Sequence, residues 1–190
     1  TPCRLLKENG RAHFMTRRFD RTRKADKIHM QSLCALGHLD FKLPGRFGYE
    51  TALFLCQQLG LGHQELRQLF RRMVFNVVAR NQDDHTRNIA FLMDRKGRWR
   101  LAPAFDVIWS YNPQGQWTNQ HQMTINGKHS DFERQDLMEV AQQFRIKKPV
   151  DNMVQRGTAN KRCPDFAANE GISPSRINQI ASTHRLHLLP

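Results

Sequence analysis

Apolar positions along the chain fall into short runs of two distinct periods. Across 63–78, Leu66, Leu69, Phe70, Met73, Val74 and Val77 recur every three or four residues. That spacing predicts an amphipathic helix, with Arg67, Arg71 and Arg72 lying off its apolar stripe. Leu53, Cys56 and Leu59 predict a shorter helix over 49–59, ended by Gly60. The continuous apolar run 89–93, a turn over 94–97 and a renewed extended pattern over 98–102 predict a β-hairpin stopped by Pro103. Upstream, His13, Met15, Arg17 and Phe19 alternate with other residues and 27–31 is again extended, which predicts a hairpin across 12–31. Pro44, Gly45 and Gly48 mark 41–48 as a loop, and 121–125 alternates weakly. Helices are expected over 135–144, 150–159 and 162–170, followed by a last one with Ser173 as N-cap and Pro174 at its first position. The expected fold class is α+β, mostly α, as one domain over 1–190.

Composition narrows the function classes. The chain has 30 Lys+Arg against 17 Asp+Glu, a formal charge of +13. Such an excess suits polyanions such as nucleic acid or nucleotide phosphates, and equally suits plain solubility. No window approaches 18 uncharged apolar residues, so neither a transmembrane helix nor a membrane partner is expected. The first eight residues lack the long apolar core of a signal peptide, and the absence of an initiator Met suggests a fragment of a longer chain. Cys3, Cys34, Cys56 and Cys163 are scattered without a close pair, which argues against structural zinc and for free thiols in a reducing cytoplasm.

The unusual segment is Asn81-Gln82-Asp83-Asp84-His85-Thr86-Arg87-Asn88, eight polar residues between the 63–78 helix and the 89–102 hairpin. Apolar anchors on both sides would hold such a loop stiffly at the edge of the core. Folding of the hairpin brings its two ends together, so Asn88 meets Asp106 of Pro103-Ala104-Phe105-Asp106. An amide oxygen beside a carboxylate is a hard-oxygen set suited to Mg²⁺, and an earlier Asp free of metal could accept a hydroxyl proton. Asp-x4-Asn, a hairpin, then Asp is the layout of a kinase catalytic loop and its metal-binding Asp. Asp83 has the required spacing to Asn88 and Asp84 does not.

The 81–88 segment, Trp99-Arg100-Leu101-Ala102-Pro103-Ala104-Phe105-Asp106 and the upstream Arg18-Phe19-Asp20-Arg21 together resemble the HipA-type toxin kinases of bacterial toxin–antitoxin modules. The resemblance implies the helical C-terminal lobe of an atypical protein-kinase-like fold and a serine/threonine protein kinase activity. It implies Asp83 as catalytic base, Asn88 and Asp106 as Mg²⁺ ligands, and His85 at the phosphates of ATP. It also implies Phe19 and Asp20 at the adenine hinge. Family substrates include aminoacyl-tRNA synthetases, and the usual partner is a helix-turn-helix antitoxin that binds operator DNA. The family's motif Lys is Arg87 here. No Gly-rich loop followed by a strand Lys precedes Phe14, so the ATP-binding N-terminal lobe is expected to be missing and the chain alone to be inactive.

Two other readings compete. Residues 165–177, with Ala167, Gly171 and Ile177, resemble a helix-turn-helix, which makes a DNA-binding regulatory module the alternative. A non-catalytic interaction module is the third reading. In it Trp109, Tyr111 and Trp117 form either a partner surface or ordinary loop packing. His121 and His129 read as surface histidines.

Overall fold

The computed structural model describes residues 2–190, and Thr1 of the N-terminal reading lies outside them. Two strands, β1 (Cys3–Glu8) and β2 (Arg11–Thr16), form an antiparallel hairpin. Asn9 and Gly10 turn it, at φ of 49° and 74°. Positive φ at both central residues is what a tight hairpin turn demands, and Asn-Gly supplies it at low cost. This corrects the expected 12–31 hairpin: β2 pairs backwards with 3–8, and the chain after it enters a different sheet. The reason is that both faces of β1 and β2 are exposed, so their side chains carry no contrast between core and solvent.

That second sheet has the order β3-β4-β5 and is antiparallel, from β3 (His29–Ser32), β4 (Ala90–Met93) and β5 (Trp99–Leu101). The register places His29 opposite Met93 and Phe91 opposite Leu101. The β4–β5 hairpin closes over 94–97 as its sequence predicts, with Gly97 at φ 76°. Between β3 and β4 the chain makes three helices. A single turn, α1 (Leu33–Leu36), is capped by the Ser32 hydroxyl, which accepts from the Ala35 amide. It precedes α2 (Tyr49–Gln58) and α3 (His63–Val78). After β5 come α4 (Arg134–Gln143), α5 (Pro149–Lys161), α6 (Cys163–Asn169) and α7 (Pro174–Ala181). Ser173 caps α7 by accepting from the Arg176 amide, with Pro174 at the first position as expected.

The predicted stripe of α3 is the centre of the core. Leu69, Phe70, Met73, Val74 and Val77 are fully buried against Leu53 and Cys56 of α2, Phe91 of β4 and Met153 of α5. Each such side chain contributes roughly 1.5–3 kcal/mol through burial. The weakly alternating 121–125 segment forms no strand. It is buried and tied to the 41–48 loop: Gly45 N donates to Gln122 O at 2.8 Å, Thr124 N to Phe47 O at 3.0 Å and Tyr49 N to Thr124 O at 2.9 Å. Gly48 is required at this crossing, because a Cβ there would stand 2.8 Å from Thr124 Oγ1 and 3.2 Å from its carbonyl. Among the described residues no helix is long and apolar enough to cross a membrane.

The two classes of aromatic predict opposite mutational outcomes. Phe70→Ala should cost about 3–5 kcal/mol in urea unfolding. Phe14→Ala, on a side chain 70% exposed, should stay within about 0.5 kcal/mol.

Candidate active site

The polar loop begins where α3 ends. Arg80 turns the chain in the left-handed region at φ 57°, and Asn81 N reaches back to Asn76 O at 2.9 Å. Residues 86–88 then make one 3-10 turn closed by Asn88 N to His85 O at 2.9 Å. The segment after β5 is stitched to this loop by Ser110. Its amide donates to Arg80 O at 3.1 Å, and its hydroxyl accepts from Asp83 N at 3.0 Å. Asp106 lies in that stitched segment, held at φ 52°, a left-handed conformation that Asp tolerates better than most residues.

The two adjacent aspartates have opposite environments. Asp84 is fully buried. Its Oδ2 accepts from the Tyr49 hydroxyl at 2.8 Å and faces His121 Nδ1 at 2.9 Å, while Oδ1 accepts from Gln122 N at 2.9 Å. Arg185 Nη1 lies 2.9 Å from His121 Nε2. A guanidinium only donates, so Nε2 accepts and Nδ1 carries the proton given to Asp84. Burial pushes the Asp84 carboxyl up; His121, the Tyr49 hydroxyl and the Gln122 amide outweigh it and hold the pKa below the ordinary carboxylate value. His121 is therefore an interior residue, which corrects its reading as a surface histidine, and His129 is half-buried as well.

Asp83 points the other way. Its side chain is 40% exposed and lies 3.8 Å from His85 Nε2. Partial burial raises its pKa, His85 opposes that, and the nearby Asp106 carboxylate adds to the rise. Asn88 Nδ2 donates to Asp83 O at 3.0 Å, which leaves Asn88 Oδ1 available as an acceptor. Asn88 and Asp106 border two cavities in common. One, of about 590 Å³, also reaches His85, and the other, of about 410 Å³, runs along α3. The loop 81–88 and the segment 103–106 thus bring Asn88 and Asp106 to the same cavities, and His85 joins them in the larger one; Asp83 borders a neighbouring cavity with His85, near enough to Asp106 to feel its charge.

The residues expected at a hinge, Phe19 and Asp20, border a neighbouring cavity. Phe19 packs on Phe105 with ring centroids 5.6 Å apart, and both residues border a cavity of about 290 Å³ with Asp20 and Asp106. The Asp20 carboxylate is already engaged, by Arg18 Nε at 2.8 Å, Arg18 Nη2 at 2.6 Å and Arg21 Nη1 at 2.6 Å. The Arg18 hydrogen bond, chiefly, holds its pKa down at about 2 against the opposing effect of burial, with the Arg18 and Arg21 charges adding to the fall. Arg87 stacks its guanidinium 4.7 Å over the Phe41 ring, away from any carboxylate ion pair among the described residues. Trp109 donates from Nε1 to Thr183 Oγ1 at 2.9 Å, and Arg80 lies over Tyr111 at 4.3 Å. Both rings are loop packing; Trp117 is 51% exposed. In the tail, α6 and α7 pack as a pair around the left-handed Gly171 at φ 79°.

Removing the anchor should therefore act on stability. Asp84→Ala strands three donors in the interior and should cost about 3–5 kcal/mol by urea denaturation. Asp83→Asn should change stability by less than about 1 kcal/mol. The Asp84 carboxyl has a folded pKa below its unfolded one, so its contribution is complete above the unfolded value near 4 and fades as pH falls through the folded one. Acid unfolding followed by circular dichroism should lose that pH dependence in Asp84→Ala.

Comparison with known proteins identifies the family. The HipA-like C-terminal domain family matches residues 1–163. A Haemophilus influenzae protein named "Putative kinase" is 28% identical over 104 residues, covering 50% of this chain and 30% of the relative. "Putative kinase Y4mE" of Sinorhizobium fredii is 28% identical over 116 residues, covering 56% and 27%. A solved chain from Shewanella oneidensis MR-1, in a complex of the toxin–antitoxin proteins HipA and HipB with operator DNA, superposes with a TM-score of 0.72 at 16% identity. It is matched by 99% of this chain, which covers 50% of that one. At that identity the likeness is one of fold. This chain spans half of the solved protein and under a third of the two curated relatives. With the family match running over residues 1–163, the chain belongs to the HipA-like C-terminal domain family.

Proposed function

We propose that this chain is the catalytic-loop and metal-binding lobe of a protein serine/threonine kinase, which transfers the γ-phosphoryl group of ATP to a protein hydroxyl. The observation that carries the reading is that Asn88 and Asp106, from two separate segments, border the same cavities, while Asn88 also bonds the Asp83 carbonyl and the Asp106 charge acts on the Asp83 carboxyl. The family membership and the kinase names of the two relatives support the same chemistry.

The donor set fits Mg²⁺. The Asn88 Oδ1 and the Asp106 carboxylate are hard oxygens, and neither accepts a hydrogen bond from the described residues. Mg²⁺ keeps several waters and needs only one or two protein ligands, so a pair of this kind suffices. When bound there, it would offset charge on the phosphates of ATP. The chain's own residues do the rest. Asp83 accepts the proton of the attacking hydroxyl. Its raised pKa makes it a better base than an ordinary carboxylate. His85, 3.8 Å from Asp83, borders the 590 Å³ cavity with Asn88 and Asp106, where the phosphates would lie. Phe19 supplies an apolar wall against Phe105 where a nucleotide base would lie.

By the same reading the intact protein is the toxin of a toxin–antitoxin module in the cytoplasm, with a helix-turn-helix antitoxin as partner and DNA reached through it. The solved HipA–HipB–operator complex, whose HipA shares the fold, supports this. An aminoacyl-tRNA synthetase is the protein substrate that the family resemblance favours.

Asp83→Asn in the full-length kinase should reduce transfer of radiolabelled γ-phosphate by about 100-fold or more and leave the unfolding midpoint in place. Because burial and Asp106 lift the Asp83 pKa, the acid-side fall in rate should come at a higher pH than an unperturbed aspartate would give. Transfer undiminished in Asp83→Asn contradicts the assignment.

A further inference from the structure

The off-stripe arginines of α3 are not used by the proposed chemistry. Gln68, Arg71 and Phe75, and beside them Gln68, Arg72 and Asn76, recur at three- and four-residue steps and line the 410 Å³ cavity from the helix side. Asn88 and Asp106 border the same cavity from the loop and the segment after β5. Arg72 Nη2 donates to the Ala102 carbonyl, while its Nη1 is buried with no hydrogen-bond partner. Arg71 Nη2 donates to Gln155 Oε1 at 2.9 Å, while its Nε is likewise buried and unpartnered.

Neither arginine has an ion-pair partner among the described residues. The groups that favour the Arg72 cation are Cys56 and Tyr49. Both are neutral at pH 7: burial pushes the Cys56 thiol up to about 12 and the Tyr49 hydroxyl well above its usual value. Burial lowers the Arg72 guanidinium to about 10, so it remains a cation. A largely desolvated cation with free donors and no counter-anion is costly to maintain, and an oxyanion removes that cost through charge-assisted hydrogen bonds. Lysine would serve as a point charge; the planar guanidinium fork fits phosphate or carboxylate geometry.

We propose that Arg71 and Arg72 form an oxyanion-binding site, distinct from the candidate metal centre, at the α3 end of this cavity. Its ligand is a phosphate or carboxylate group. The Phe75, Ile89, Phe105 and Val107 surfaces accept the carbon body that carries it.

The test is calorimetric titration of the 190-residue chain with sodium phosphate, at ionic strength held constant with NaCl. Saturable binding is expected, weakened about tenfold in Arg72→Gln and unchanged in Arg95→Gln, which removes an exposed arginine of equal charge. Binding should survive in Asp106→Asn, so a failure of the metal-site reading leaves this result standing. Acetate that competes with phosphate would identify a carboxylate as a second source of the ligand, and acetate that does not would leave phosphate; either outcome supports the site. If Arg72→Gln unfolds, the Arg71 and Arg72 Nε–H resonances of the wild-type chain should shift on phosphate addition. Absence of saturable binding, equal affinity in a folded Arg72→Gln, unmoved Nε–H resonances, or loss of binding in Asp106→Asn overturns the proposal.

Discussion

The buried Asp84 carboxylate is the interaction on which the site depends. It gathers three remote pieces of chain: Tyr49 at the start of α2, the 121–122 segment, and Arg185 of the C-terminal tail through His121. A lone ionised carboxylate in the interior would be prohibitive, and this one persists because every neighbour that faces it donates. The consequence is local rigidity. With Asp84 fixed inward, the chain direction forces Asp83 outward, and the following 3-10 turn presents Asn88 one step further along. A loop of polar residues, which elsewhere would fray, is thereby held from within and can hold a defined geometry outside.

A second constraint sets the position of Asp106, the other candidate ligand. Asp106 sits beyond the β4–β5 hairpin, and its position follows from the hydrogen bonds of Ser110 to the loop and from the packing of Phe105 on Phe19. The same contact joins the 18–21 segment to the candidate metal centre. The site is thus assembled from α3's end, the hairpin's two ends and the hinge, each fixed by apolar packing one or two residues away.

Local signals carried most of what the sequence revealed. The α3 stripe, the Ser173-Pro174 helix start and the 89–102 hairpin all follow from spacing and cap chemistry within a few residues. Asp83 could be separated from Asp84 by its distance to Asn88, and Asn88 could be paired with Asp106 because a hairpin must return its ends to one place. The β1–β2 hairpin escaped for a physical reason. Its faces are both exposed, so apolar and polar residues do not sort by side, and only the Asn9-Gly10 turn marks it. The role of His121 was invisible because its partners, Asp84 and Arg185, lie 37 and 64 residues away. An isolated histidine between polar neighbours carries no trace of such contacts. The orphaned donors of Arg71 and Arg72 were equally hidden: a helix period shows which residues leave the stripe, not what they lack.

The convergence of the three acidic and amide side chains is tested most directly by crystals of the chain soaked in Mn²⁺, with the ion located by its anomalous scattering. One ion bonded to both Asn88 Oδ1 and the Asp106 carboxylate, with Asp83 outside its coordination sphere, is the predicted result. An ion held elsewhere, or none between those two residues at saturating Mn²⁺, would contradict it.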